Sequence, residues 1–350
     1  MIVGAHDKAV TNATEKKVFE QDYELESDGQ RDYVIEKRYD GVNVNPFSTA
    51  KIDWSYDAPN RLTAETRDEG NDGQNGANDY VATYSYDLVG NRLSKTLDKV
   101  GTADDETITY RYGEIDNTTN FNLTTVNGND WLRWEKRVVG TGGTAVTTIT
   151  QYGYDGNGSL ITKAVGSQTT RYAYDLQNRL IALDGNGDDL PTGLVNDSND
   201  TTYTYDSEGN RISKQIVAGA ATYYVVDSNN PTGYGQVLEE KSALPGSPSR
   251  SYVLGSDVIA QYDPQYDPAI PTRYFLYDGH GSTRALLRAT PDAQGRLVDQ
   301  SYDYDAFGNA LFTGAAATTL LYSGEQYDSG LKEYCLRARY YDQAIGRFSS

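Results

Sequence analysis

The phrase Tyr-x-Tyr-Asp, with an Arg four or five positions after the Asp, recurs along the chain, and this recurrence limits the fold more than any other feature. It stands as YSYDLVGNRLSKT (Tyr84 to Thr96), YTYDSEGNRISKQ (Tyr203 to Gln215) and YAYDLQNRLIAL (Tyr172 to Leu183), and in a worn form as WSYDAPNRLTAE (Trp54 to Glu65). Looser copies lie at Tyr152-Gly-Tyr154-Asp155 with Gly158, at Tyr302-Asp-Tyr304-Asp305-Ala-Phe-Gly308-Asn309, at Tyr110-Arg-Tyr112 and at Arg38-Tyr39-Asp40-Gly41. A phrase used once can be a site, whereas a phrase used this often is a building unit. Asp-to-Asp distances of 30 (57 to 87), 20 (155 to 175) and 31 (175 to 206) give a basic period of about 20 residues, stretched by inserts.

The unit reads as a β-hairpin. Residues i and i+2 of a strand share a face, so Tyr84 and Tyr86 lie on one side and Ser85 and Asp87 on the other. Gly90-Asn91 then supplies the left-handed backbone of a tight turn, and Arg92 begins the returning strand. Tyr203, Tyr205, Asp206, Gly209 and Arg211 repeat the pattern. After Tyr172, Tyr174 and Asp175 the turn reads one residue shorter, with Asn178 in the positive-φ position, as Asn60 is before Arg61. Asp and Arg face each other across each turn, within reach of a surface ion pair of about 0–1 kcal/mol that fixes register more than it adds stability. Hairpins that each carry one Tyr-rich face bury it by stacking side by side. The expected fold class is all-β: tandem hairpins in a continuous, spiralling antiparallel sheet with tyrosines on its concave side.

Composition agrees. The 350 residues include 30 Tyr against 7 Phe, 3 Trp and 1 Met, an aromatic set that tolerates a partly wet inner face. Mean hydropathy is −0.66, yet Thr, Val, Tyr and Gly-containing turn pairs suit short strands rather than disorder. The net charge of −19 excludes nucleic acid as a partner, since phosphate binding needs a basic face; it suits a soluble surface or, alternatively, cations or basic cargo. One cysteine, Cys335, excludes an internal disulfide framework. There is no apolar run of membrane-spanning length and no secretory signal at the N-terminus, so any export instruction lies elsewhere. The pattern stops mid-phrase at Gly346-Arg-Phe-Ser-Ser350, as in a segment of a longer polypeptide.

Candidate chemical sites are few. Acidic, Gly/Asn-rich inserts span 68–79, 98–106 and 184–200; the second of these runs from Asp98 to Glu106. Asp184-Gly-Asn186-Gly-Asp188 has calcium-loop spacing but fails the EF-hand pattern at Asp189 and Val195, so it reads as a polar hairpin loop and no metal is assigned. His6, His280 and Cys335 are too scattered for a zinc site. Asp278-Gly-His280-Gly-Ser282 contains the residues of a triad in a turn that does not suit triad geometry. Cys335 reads as a small apolar filler, and Gly140 to Gly143 as a hairpin end without the Lys of a P-loop. Trp131 and Trp134, three apart, imply a local bulge or an interaction strip. The Pro-bearing segment Leu244 to Pro271 is expected to break the ladder.

The Y-x-Y-D-x-x-G-[RN] copies resemble the YD repeats of the Rhs family, shared with the C component of Tc toxins and with teneurins. The resemblance covers most of residues 31–350. It is densest in Tyr277-Asp278-Gly-His-Gly-Ser-Thr-Arg-Ala-Leu-Leu287, Tyr302 to Gly308, Tyr322-Ser-Gly-Glu-Gln326, Leu336-Arg-Ala-Arg-Tyr-Tyr-Asp342 and Gly346-Arg-Phe348, which look like the Rhs repeat-associated core. It implies a spiral β-shell or cocoon, here partial, that encloses a C-terminal toxin or cargo segment of the same polypeptide, secreted or at the cell surface, with secretion-system or cell-surface partners. In teneurins such a shell serves adhesion, and an adhesive or carbohydrate-binding β-spiral is the alternative. Arg339 matches the arginine of the family's aspartyl self-protease, but that motif's aspartates would fall beyond Ser350. This segment is therefore expected to be structural, without catalytic residues or cofactor, and Arg339 to be a strand residue paired with an Asp. The implied division is 1–30 as a leading edge segment, 31–250 as YD hairpins, and 251–350 as the core, with Tyr304, Asp305 and Gly308 as repeat-motif residues.

Overall fold

In the computed structural model, which describes residues 6–7, 16–43, 45–73, 76, 78–100, 105–113, 129–186, 200–217, 219–230 and 233–349, the Asp of each phrase organises the turn that follows. Asp87 Oδ1 accepts the backbone N–H groups of Val89 and Asn91 at 3.0 and 2.8 Å. Asp87 N–H donates to the Asn91 carbonyl at 2.9 Å and Gly90 N–H to the Asp87 carbonyl at 3.3 Å. These bonds close a three-residue loop whose last member is left-handed, a common hairpin connection. A short acidic side chain at the first position satisfies turn amides that no strand partner reaches.

Three details of the turn differ from the sequence expectation. Gly90 is left-handed (φ 98°); Asn91 instead donates Nδ2 to Asp87 Oδ2 at 2.9 Å. The shorter phrase also lacks nothing. Asp57 N–H bonds the Arg61 carbonyl at 2.9 Å and Asn60 N–H the Asp57 carbonyl at 2.8 Å, closing the same loop. Asn60 (φ 67°) stands where Gly90 stands, and Arg61 where Asn91 stands. Leu62 and Arg92 are thus equivalent, each opposite the second aromatic of its phrase, Tyr56 and Tyr86. In these hairpins the ion pair across the turn forms where Arg is four positions on, as in Arg61–Asp57 at 2.7 Å and Arg179–Asp175 at 2.6 Å; in the core phrase Asp278 instead meets Arg284, six positions on, at 3.4 Å. Asp87 and Asp206 hold Asn91 and Asn210 instead, and Arg92 and Arg211 are buried elsewhere.

The strands are β1 His6–Asp7, β2 Lys16–Lys17, β3 Phe19–Leu25, β4 Arg31–Arg38, β5 Ser48–Tyr56, β6 Leu62–Glu69, β7 Tyr80–Tyr86, β8 Arg92–Lys99, β9 Glu106–Tyr112, β10 Leu132–Val139, β11 Val146–Tyr154, β12 Leu160–Val165, β13 Gln168–Tyr174 and β14 Leu180–Asp184. They continue as β15 Asp200–Tyr205, β16 Arg211–Ile216, β17 Ala221–Asp227, β18 Gln236–Lys241, β19 Pro248–Leu254, β20 Val258–Tyr262, β21 Thr272–Tyr277, β22 Thr283–Arg288, β23 Val298–Ser301, β24 Gln326–Asp328, β25 Glu333–Leu336, β26 Arg339–Asp342 and β27 Arg347–Phe348. Among the described residues there is no α-helix. The chain is all-β, built of tandem antiparallel hairpins, as the repeats predict.

Contacts divide the chain into two compact units, Met1–Gly158 with Thr162–Thr169, and Ser159–Ile161 with Thr170–Ser350. In the first, each strand from β3 to β11 pairs antiparallel with the next. In the second, β13 to β23 do the same, and β24 to β27 form a separate four-stranded sheet. The Pro-bearing segment does not break the ladder: β19 and β20 pass through it, because Pro248 opens its strand, where a missing N–H is tolerated. The segment leaves the sheet at 244–247, at the short turn 255–257 and at 263–271.

A second set of bonds ties several hairpins to the one before. The first Tyr of a phrase is buried, as are Tyr84, Tyr172 and Tyr203. In several phrases the second donates its hydroxyl to a backbone carbonyl at the start of the previous hairpin's returning strand: Tyr86 to Leu62 at 2.8 Å, Tyr112 to Arg92 at 2.9 Å, Tyr205 to Leu180 at 2.8 Å and Tyr277 to Val258 at 2.8 Å; Tyr174 instead reaches the Ser349 carbonyl at 3.4 Å, and the Tyr304 hydroxyl is buried without an acceptor. Where the turn ends in Arg, that Arg lies over the next hairpin's Tyr, Arg61 4.9 Å from the Tyr86 ring and Arg179 5.1 Å from that of Tyr205. Arg179 Nη1 also reaches the Asp206 carbonyl at 3.1 Å, and Arg61 Nη1 that of Asp87 at 2.5 Å. A Phe packs equally well but cannot donate, which accounts for the preponderance of Tyr.

Tyr86→Phe should therefore lower stability by about 1 kcal/mol through loss of one hydrogen bond, read as a shift in urea midpoint at unchanged slope. Gly90→Ala should cost about 1–2 kcal/mol although a Cβ there meets no atom within 4 Å, because the cost is backbone conformation alone. Asn60→Gly in the same urea assay should change stability by less than about 0.5 kcal/mol, since both residues accept the left-handed conformation.

Candidate functional site

The core phrases reuse the turn and then bury it. Asp305 Oδ1 accepts the N–H groups of Phe307 and Asn309 at 3.0 and 2.9 Å. The carbonyls of Ala306, Phe307 and Gly308 accept the hydroxyls of Tyr322, Tyr341 and Tyr334 at 2.7, 3.1 and 3.0 Å. Gly308 is required twice: its φ is 90°, and a Cβ would lie 2.6 Å from the Tyr322 ring. Tyr302, Tyr304, Leu286, Ala317, Leu321 and Tyr334 form the buried cluster behind it.

On the other side of the four-stranded sheet a charged seam joins β24 to the hairpin strands of the same unit. Arg211, at the start of β16, donates Nη1 to Asp328 Oδ2 at 2.9 Å and to the Tyr340 hydroxyl at 3.2 Å, and Nη2 to Gln326 Oε1 at 3.1 Å. Lys214 also pairs with Asp328. Gln326 Nε2 lies 3.4 Å from Glu240 Oε1, which accepts the hydroxyls of Tyr252 at 2.7 Å and Thr319 at 3.1 Å. The side chains of Arg211 and Asp328 are 5% and 1% exposed, so neither charge has water to fall back on. Burial alone would push the Asp328 carboxyl up, but Arg211 and Lys214 outweigh it and hold the group below its ordinary 3.8. The last described residue is held too. Ser349 donates Oγ to Glu333 at 2.6 Å, and its carbonyl accepts Leu160 N–H at 2.9 Å.

The sequence candidates fall as follows. Asp278 Oδ1 accepts the N–H groups of His280 and Ser282, both at 2.9 Å, as a turn residue does. His280 Nδ1 meets Ser323 Oγ at 3.0 Å, while Ser282 Oγ accepts Ser323 N–H at 3.0 Å. The three triad-type residues of that phrase are thus used in turn and loop contacts. Arg339 is exposed on β26, its guanidinium 3.8 Å from the centre of the Phe348 ring. Cys335 is buried, and burial pushes its thiol up. Trp131 stacks on Tyr154 with centroids 5.6 Å apart, and Arg133 covers both rings. A register shift between Leu132 and Trp134 accounts for the three-residue spacing. Asp184 and Asn186 belong to a turn, while Asp188, Asp189 and Val195 lie outside the described residues, as do positions 101–104 of the second insert. Among the described residues no His, Cys, Asp and Glu are grouped to hold a metal, and no helix is long and apolar enough to cross a membrane. Sequence reasoning missed Lys214, Glu240, Gln326 and Asp328, because Arg211 and Asp328 are 117 residues apart and no local spacing links them.

No family model matches the chain. The tRNA3(Ser)-specific nuclease WapA of Bacillus spizizenii is 28% identical over 301 residues, 84% of this chain and 10% of that protein. The tRNA nuclease WapA of Bacillus subtilis strain 168 is 28% identical over 300 residues, again 84% of the chain and 10% of the protein. The chain thus spans about a tenth of the length of these relatives. Among solved structures, TcdB2-TccC3 aligns with 98% of this chain and 19% of its own, at 16% identity and a TM-score of 0.45. Tandem Asp-closed, Tyr-stapled hairpins define a YD-repeat β-protein. With these relatives and the core phrases from Tyr277 to Phe348, the chain is similar to proteins of the Rhs/YD-repeat family over most of its length.

Asp328→Asn leaves the buried Arg211 without its anion and should cost about 3–5 kcal/mol in urea unfolding. The Asp328 pKa is lowered in the folded state, so its contribution is full above the ordinary value of 3.8 and fades as pH falls through the lowered one. Stability against pH should therefore lose a step below about pH 4 in the wild type that Asp328→Asn lacks.

Proposed function

We propose that this chain is a structural wall module of an Rhs-type secreted toxin, acting by enclosure or presentation of a C-terminal segment of the same polypeptide rather than by chemistry. The observation that carries this reading is the staple between hairpins. Several units of the wall are bonded to the preceding one through side chains as well as through the strand ladder, and this favours extended sheet rather than a pocket. The relatives named as tRNA nucleases support it, since this segment matches about a tenth of each and is otherwise made of repeats. In this reading residues 1–30 form a leading edge, 31–250 the hairpin wall and 251–350 the core, and the recurring Tyr, Asp, Gly and Arg positions of the phrases serve the repeat. Cargo of the same chain is the first partner, with secretion-system or cell-surface partners for delivery outside the cell.

The adhesive or carbohydrate-binding alternative rests on Trp131, but that ring is already covered by Tyr154 and Arg133. The self-protease alternative has Arg339 in place and needs aspartates from outside these 350 residues.

The test is limited proteolysis of the natural full-length protein. The segment after Ser350 should resist protease while the hairpins are folded and become labile when Asp328→Asn or urea loosens the core. Digestion of that segment at the rate of the isolated segment, with the hairpins still folded, would overturn enclosure.

A further inference from the structure

One hairpin joint is built differently from its counterparts. Tyr86, Tyr112 and Tyr205 each donate to the carbonyl of the residue five positions after the previous hairpin's turn Asp, namely Leu62, Arg92 and Leu180. By the same count from the turn residue Asp155, the partner of Tyr174 is Leu160, the first residue of β12. The Tyr174 hydroxyl instead donates to the Ser349 carbonyl at 3.4 Å, and that same carbonyl accepts Leu160 N–H at 2.9 Å. Ser349 thus lies between the two residues that the pattern joins elsewhere. All three belong to the second unit.

The core builds the seat. Ser349 is 6% exposed and Leu160 2%. Ser349 donates its N–H to the Tyr340 carbonyl at 2.9 Å and its Oγ to Glu333 Oε2 at 2.6 Å. Phe348 beside it packs edge-on against Tyr341, with ring centroids 5.8 Å apart. An O–H···O bond of 3.4 Å is well beyond the usual length of about 2.7–2.8 Å, so Tyr174 gains little from Ser349. The carbonyl its counterparts use lies behind that residue.

We propose that this joint has two states: seated, with Ser349 wedged between Tyr174 and Leu160, and stapled, with Ser349 withdrawn and the Tyr174 hydroxyl on the Leu160 carbonyl. Three bonds of ordinary length hold the seated state, and the stapled state regains the one bond that Tyr86, Tyr112 and Tyr205 each make. Seating therefore prevails in the structure, while withdrawal is partly compensated, as a bistable element requires. The use of the joint rests on the enclosure reading: it closes the wall between Leu160 and Tyr174 once the chain beyond the core is drawn away.

The test is a double-mutant cycle in the 350-residue chain. Ser349→Pro is the unseating variant, because it removes both the N–H held by Tyr340 and the Oγ held by Glu333. Tyr174→Phe should shift the urea midpoint little in wild type and at least about twofold more in the Ser349→Pro background, where the staple forms. The Leu160 amide should exchange about tenfold faster in Ser349→Pro than in wild type, since its acceptor has left. Should Ser349→Pro fold poorly, Ser349→Ala, which removes only the Glu333 contact, gives the same two readings at smaller size. A Tyr174→Phe shift of equal size in both backgrounds means that no staple forms on unseating and overturns the proposal. A Leu160 amide that exchanges alike in both means that Ser349 is not seated there and overturns it equally. Neither reading involves the segment after Ser350, so their failure is separate from that of enclosure.

Discussion

The structure depends on a phenol oxygen donating to a backbone carbonyl of the neighbouring hairpin. A strand ladder alone ties adjacent strands at their amides, but the ends of the strands, next to the turns, are where a twisted ribbon frays. Tyr86, Tyr112, Tyr205 and Tyr277 act at that end, reaching from one hairpin to the start of the previous returning strand. Each such bond is worth about 1 kcal/mol, too little to matter singly and enough, repeated, to select one register over a slipped one. Arg61 and Arg179 reinforce the same junction by lying on the Tyr ring and binding the next turn's carbonyl.

The seam works on a different principle. Arg211, Lys214 and Asp328 are buried together, where desolvation offsets most of the attraction, so their value lies in what they forbid. A core sheet displaced by one residue would leave a bare charge in a dry place. The Tyr hydroxyls on the carbonyls of residues 306–308 serve the same end on the other face, and Gly308 admits the Tyr322 ring that closes it. The hairpins are held by many weak, equivalent bonds, and the core by a few that tolerate no alternative.

The repeated unit was legible because everything it needs is local. Tyr-x-Tyr alternation, the turn Asp and the left-handed Gly or Asn all act within six residues, so the all-β fold could be read from spacing. The turn was misread only in its closing residue: Asn91 and Arg61 look different in sequence yet fill one position, since both carry a nitrogen that reaches the Asp. The ion pair assigned to Arg92 and Arg211 failed for the same reason, as one added residue moves the Arg to the buried face. The seam was not legible, because Asp328 and Arg211 meet through the path of the chain rather than through proximity along it.

Because the Tyr86 and Tyr112 staples reach back only one hairpin, the hairpins they join carry no feature that counts their number, unlike those tied to the core by the seam. A genetic crossover at one turn Asp and another at a second would join two foreign halves with the tyrosine, carbonyl and register all matched. Whole hairpins outside the seam are thus interchangeable parts, which could be added, removed or recombined without redesigning the joint.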